Sequence, residues 1–182
     1  MKVAIDLDGV LFNTGGMMAR IWQDAGYGTP DLSLYNFGDT EKMNLVLRAL
    51  FDGKEGGWLN AEYGAVDCIK DAPCEVHFVT SRPVHLWAKT ANNLKAIGLF
   101  AKPMLWVIGS DDKVDFCFGE GFDFMIDDSP AVIAKANMLR HGYCVRYDRP
   151  WNRMFDNHIL SVTCWDDVRE LLNERCGVDA AA

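Results

Sequence analysis

Three short β-rich runs, Val3–Leu7, Glu75–Thr80 and Phe122–Asp127, each close on a polar cluster. Such nearly continuous apolar runs suit strands buried on both faces, the situation of a parallel sheet covered by helices. Met104–Gly109 and Tyr143–Tyr147 read the same way. Helical patterns separate most of the runs: Pro83–Ile97 stops at Gly98, and Pro130–Arg140 stops just before Gly142. Ser129 is placed as an N-cap with Pro130 at the first helical position. Thr163 with Asp166 predicts a capping box that opens a last helix running to about Arg175. Strand–helix alternation of this kind predicts an α/β fold, a doubly wound parallel sheet.

One interval breaks the rhythm. Between the first and second strands lie about sixty residues with helical patterns at roughly Thr14–Ala25, Thr40–Phe51 and Ala61–Lys70. That is too long for one crossover, so residues 13–72 read as an inserted helical cap on a core of residues 1–12 and 73–182. The chain has 182 residues with 49% hydrophobic and 24% charged, enough to bury a core without a disulfide or zinc staple. Its formal charge of −8 argues against non-specific binding to polymeric nucleic acid or anionic lipid. The first ten residues, interrupted by two aspartates, are not read as a signal peptide. No apolar run approaches the ~18 residues of a membrane span. The six cysteines form neither CxxC nor zinc-finger spacing, and the expectation is reduced thiols in a cytoplasmic protein.

Ligands of parallel α/β sheets bind beyond the carboxyl ends of the strands, and four strand ends here carry polar groups. The first is Asp6-Leu7-Asp8-Gly9, two carboxylates leaving the strand on one side at i and i+2, about 7 Å apart along the backbone. In a dry crevice such a pair asks for a cation or a shared proton; alone, the motif is equally a capped strand end with solvated acids. The second strand ends Thr80-Ser81-Arg82-Pro83, whose hydroxyls beside free backbone N–H groups suit either a phosphate or an ordinary N-cap. Lys113 follows the third strand. Asp127 and Asp128 close the fourth, where two negative charges on a buried strand end need compensation, of the kind a hard divalent cation such as Mg²⁺ supplies.

The order of these four motifs resembles that of the haloacid dehalogenase (HAD) superfamily, and the resemblance spans the whole chain in layout. It implies a Rossmann-like sheet with a cap inserted just after the first motif. It also implies Asp6 as the nucleophile on phosphorus, Asp8 as general acid and base, and Thr80 and Lys113 as holders of the phosphoryl oxygens. Mg²⁺ would sit on Asp6, the Asp8 carbonyl, and Asp127, Asp128 or both. The implied activity is a Mg²⁺-dependent phosphomonoesterase working through an aspartyl-phosphate on a small phosphorylated substrate.

The segment Tyr147–Arg153, with Pro150, Trp151, Asn152 and Arg153, is similar to a stretch of the 5′(3′)-deoxyribonucleotidase branch, which implies a nucleoside monophosphate as substrate. The second motif departs from that branch in carrying Arg82. Cap aromatics could stack a base or fill the cap's own core: Trp22, Tyr35, Phe37, Trp58 and Tyr63, with Phe12 at the junction. Ser81, Arg82, Arg149 and Arg153 are further candidate substrate contacts, the three arginines reading either as local positive potential for a substrate or as surface salt-bridge partners. A sugar phosphate, phosphoglycolate or a polynucleotide 3′-phosphate would use the same chemistry, and a non-catalytic phosphate-binding module is the alternative from another class.

Overall fold

The structure, a computed structural model, describes residues 1–35, 37–52, 59–106, 110–154 and 158–177. Its centre is a six-stranded, all-parallel sheet in the order β3-β2-β1-β4-β5-β6. The strands are β1 (Lys2–Ile5), β2 (Glu75–Thr80), β3 (Met104–Trp106), β4 (Phe124–Asp127), β5 (Cys144–Tyr147) and β6 (Ser161–Val162). Five were legible as apolar runs, although residues 107–109 of the third run lie outside the described residues. β6, two residues long, carries too little pattern to be seen in the sequence.

Helices flank the sheet: α1 (Thr14–Asp24), α2 (Thr40–Asp52), α3 (Ala65–Lys70), α4 (Trp87–Ala96), α5 (Ser110–Gly119), α6 (Pro130–Leu139) and α7 (Trp165–Cys176). The period-two alternation of β1 divides the interior. Val3 and Ile5 face one apolar cluster with Phe78, Phe124, Ile69, Trp165 and Leu172. Ala4 faces the other, with Val79, Val114, Met125 and Ile133. A third cluster, Trp22, Phe37, Met43 and Val46, ties α1 to α2 and to the loop between them. α3 lies inside the 13–72 interval by sequence, yet Ala65, Cys68 and Ile69 pack into the core cluster beside α7.

Some local expectations need correcting. The helix read at Ala61–Lys70 begins only at Ala65, because Gly64 (φ +78) turns the chain there. Pro83–Ile97 divides into a 3-10 turn at Val84–Leu86 and α4. Asp167, rather than Asp166, closes the start of α7: its Oδ2 accepts from the Thr163 N–H and hydroxyl, both at 2.7 Å, with Cys164 as N-cap. All six cysteines are free thiols. Among the described residues, no helix is long and apolar enough to cross a membrane.

Candidate active site

The chain runs from β1 outward to β2 and β3 on one side, then crosses to β4 on the other. The switch point of this sheet, where a crevice opens, therefore lies between β1 and β4. Ile5 pairs in register with Ile126, and the Asp6 N–H donates to the Ile126 carbonyl at 3.0 Å. The first and fourth motifs are thereby side by side. Asp6, Asp127 and Asp128 are all buried, with carboxylate oxygens mutually within 4.8 Å.

Gly9 makes this proximity possible. It adopts φ +76, and a Cβ there would sit 2.0 Å from Asp128 Oδ2. The turn thus needs glycine for both conformation and space. Asp128 is held further by Trp151, whose Nε1 donates to its Oδ2 at 3.2 Å. Asn152 Nδ2 donates to the Asp128 and Tyr147 carbonyls, each at 2.9 Å. In the Tyr147–Arg153 segment, then, Trp151 and Asn152 reach the site.

Lys113, on α5, is buried and bridges two of the acids, 2.6 Å from Asp6 Oδ1 and 2.7 Å from Asp127 Oδ2. Burial by itself would lower its pKa, but the charges of Asp127 and Asp6 outweigh that and hold it above the ordinary lysine value. Burial pushes Asp6 up to about 7, against the pull of Lys113 and with the push of Asp127 and Asp8. Asp128 is driven well above the carboxylate range by burial, then by the charges of Asp6 and Asp127. Lys113 pairs with Asp6 and Asp127, so with all three carboxylates ionised the group would carry more negative charge than this lysine neutralises. Excess charge on hard oxygen ligands suits a hard divalent cation, which Asp6, Asp127 and Asp128 could hold.

A cavity of about 260 Å³ opens over these groups. Asp6, Asp8, Thr80, Ser81, Arg82, Lys113, Asp127 and Asp128 all line it. The structure therefore brings every motif residue expected from the sequence to one place. Asp8 is paired with Arg82, whose Nε and Nη2 lie 2.6 Å from the two carboxylate oxygens. Thr80 is buried and accepts the Arg82 N–H through its hydroxyl at 3.2 Å.

The other sequence candidates divide. Phe37 lines the cavity and holds an uncommon left-handed backbone (φ 52). Phe12 is fully buried in the core cluster, and Trp22 is buried among Tyr27 and Phe37; neither lines the cavity. Tyr63 is 96% exposed, away from the cavity. Arg149 donates to the Gly9 carbonyl at 2.7 Å and pairs with Glu62, while Arg153 pairs with Asp148 at the surface. These arginines brace loops rather than face the cavity. Trp58 lies outside the described residues.

Met18, Tyr35, Met43, Leu47 and Phe51, from α1, α2 and the segment between them, also line the cavity and were not singled out as contacts, apart from Tyr35, weighed among the aromatics. Methionine and leucine at helical spacing give no signal that separates a cavity wall from a core. Tyr35 is half-exposed as a residue, yet its hydroxyl turns in to Ser129; burial and the charge of Asp128 push the phenol above its ordinary value.

No family model matches the sequence, and no curated protein matches it. Solved structures do match over nearly the whole chain. A HAD family hydrolase from Deinococcus radiodurans R1, with bound phosphate and sodium, is 19% identical, with a TM-score of 0.64 over 100% of this chain and 98% of that one. A Thermotoga maritima protein proposed to be a β-phosphoglucomutase is 14% identical, TM-score 0.57, over 95% and 98%. YfnB from Bacillus subtilis, proposed to be a HAD hydrolase and solved with magnesium, is 16% identical, TM-score 0.57, over 94% and 98%. At these identities the likeness is one of fold: the chain has the α/β fold of the HAD hydrolases.

Proposed function

We propose that this protein is a HAD-type phosphomonoesterase that requires Mg²⁺ and works through a phosphoaspartate at Asp6. The observation that carries the reading is the buried Asp6–Asp127–Asp128 group around Lys113, at the switch point and open to a cavity. A bare carboxylate cluster of this kind is costly to a fold, and its compensation lies in what it binds. The bound phosphate and magnesium of two fold neighbours agree with this chemistry.

In this mechanism an Asp6 oxygen attacks phosphorus, the ester P–O bond breaks, and the leaving oxygen takes a proton from Asp8. Asp8 then removes a proton from the water that attacks the phosphoaspartate, returning Asp6 as a carboxylate. Thr80 and Lys113 hold phosphoryl oxygens, and Lys113 offsets charge between Asp6 and the phosphate. A bound Mg²⁺ would be held by Asp6, Asp127, Asp128 and the Asp8 carbonyl, and would neutralise charge that develops on the transferring group.

The leaving group falls to residues 13–72, read as the cap. Their described contribution to the cavity is largely apolar: Met18, Phe37, Met43, Leu47 and Phe51. Such a surface suits the face of a nucleobase, and we assign nucleoside monophosphates as the preferred substrates. A sugar phosphate is the second reading, favoured by the fold likeness to the proposed β-phosphoglucomutase. Phosphate release should be measured over nucleoside 5′- and 3′-monophosphates, sugar phosphates and phosphoglycolate, with Mg²⁺ and with EDTA. Release from nucleotides only with Mg²⁺ is expected; preference for a sugar phosphate would move the assignment to the second reading, and no release from any ester would refute the activity.

A further inference from the structure

Arg82 stands in the cavity wall, yet its guanidinium is engaged by the protein itself. Nε and Nη2 meet the two oxygens of Asp8 in a parallel, two-bond pairing, each at 2.6 Å. Nη1 donates to the buried Thr90 Oγ1, on α4, at 3.0 Å. The guanidinium carbon lies 5.4 Å from the Phe12 ring centroid and 5.1 Å from that of Phe51, at the end of α2. The Arg82 side chain is 3% exposed, whereas that of Asp8 is 31% exposed. One partner is therefore fixed in the protein, and the other faces the cavity.

Burying a guanidinium costs several kcal/mol, which a carboxylate fork, a hydroxyl and two rings offset. Phosphate binding does not require this arrangement. Orientation does: a fork pairing fixes the rotation of the carboxyl group as well as its position. We propose that Arg82, held in turn by Thr90, is a positioning residue that aims the Asp8 carboxyl at the leaving-group oxygen, an inference that rests on the phosphatase reading above. When the ester bond breaks, its electron pair goes to the leaving oxygen, and the Asp8 proton completes the alcohol. In the second half, the aimed Asp8 carboxylate takes a proton from water as the water oxygen bonds phosphorus and the Asp6–phosphorus bond opens. Phe51 brings the cap into this assembly, because α2 supplies one wall of the guanidinium slot.

The two half-reactions give separable readouts. An alkyl ester needs its leaving oxygen protonated, whereas p-nitrophenolate leaves without a proton. kcat/KM reports steps through departure of the alcohol; kcat also includes attack by water. Thymidine 5′-monophosphate and ribose 5-phosphate serve as alkyl esters, with p-nitrophenyl phosphate as the aryl ester. Arg82→Lys keeps the charge and loses the fork. It should lower kcat/KM on the alkyl esters by about 10²-fold or more, while changing that of p-nitrophenyl phosphate by no more than about threefold. kcat for p-nitrophenyl phosphate should fall as well, with a burst of p-nitrophenol. Thr90→Ala should give the same pattern at smaller amplitude, and Thr90→Ser should restore it. Equal losses of kcat/KM on alkyl and aryl esters in folded Arg82→Lys and Thr90→Ala, with wild type active and Asp6→Asn inactive, would overturn the positioning role alone. A wild-type protein that releases phosphate from none of the three esters would overturn the underlying reading.

Discussion

Replacing Asp6 by asparagine should abolish turnover and, at the same time, stabilise the metal-free protein. The reason is the site's uncompensated charge. Burial raises the Asp6 pKa from 3.8 to about 7, so between those values the folded protein binds a proton that the unfolded chain has released. Metal-free stability therefore falls as pH rises through this window, and levels off above it. At 1.36 kcal/mol per pKa unit, an ionised Asp6 costs about 4 kcal/mol at pH 8. Asparagine stands in for the neutral carboxyl and avoids that cost, while Lys113 keeps Asp127 as partner. At about 2–4 °C per kcal/mol for a chain of this size, Asp6→Asn should melt roughly 10 °C above wild type at pH 8 in EDTA. At pH 5 the unfolded chain is ionised by little more than one unit, and the difference should shrink to roughly 2 kcal/mol. Thermal denaturation at both pH values, with EDTA and with Mg²⁺, checks this. Added Mg²⁺ should raise the wild-type Tm at pH 8 more than that of the variant. A variant no more stable than wild type at pH 8 in EDTA, or a difference independent of pH, would refute the argument.

Other substitutions probe different parts of the site. Gly9→Ala would place a Cβ 2.0 Å from Asp128 Oδ2 at φ +76; calorimetric titration should show Mg²⁺ affinity reduced roughly five- to two-hundred-fold, through about 1–3 kcal/mol of strain and displacement. Lys113→Met removes the cation that the acids share; turnover should vanish, and denaturant unfolding without metal should report a loss of about 3–5 kcal/mol. Phe37→Ala should lower kcat/KM for a nucleoside monophosphate by about 1–3 kcal/mol, roughly five- to two-hundred-fold, with little change on p-nitrophenyl phosphate. If both esters respond alike, a base does not stack on Phe37.

The strand-end half of the candidate site was legible because it is local. Asp6, Asp8, Thr80, Asp127 and Asp128 each terminate or immediately follow a strand that announces itself as an apolar run. Parallel pairing in register then fixes which ends meet. Lys113 lies on α5, beyond a strand end, and was singled out only by the order of the four motifs, since α5 itself was not legible. The cap side was not legible. Trp22 and Phe37 are both aromatics of the 13–72 interval and pack in one cluster, yet only Phe37 also lines the cavity. Residue type does not separate those outcomes; the fold of the loop that carries Phe37, with its left-handed backbone, does. Arg82 was read as local positive potential for a substrate or a salt-bridge partner, since nothing in a linear sequence shows that Thr90, eight residues on, and Asp8, in the turn after β1, hold its donors. Arg149 similarly finds its partners, Gly9 and Glu62, outside the Tyr147–Arg153 segment, whereas Arg153 pairs within it, with Asp148.

The covalent role of Asp6 is the claim on which the rest depends, and chemical trapping addresses it directly. Protein turning over its best ester with Mg²⁺ is quenched in acid and reduced with borohydride, which converts a phosphoaspartate to homoserine. Peptide mass spectrometry then locates the product. Homoserine at residue 6, absent without substrate, is the predicted result. Turnover that continues while residue 6 remains aspartate in every quenched sample, or homoserine found at Asp8 or Asp127 instead, would contradict it.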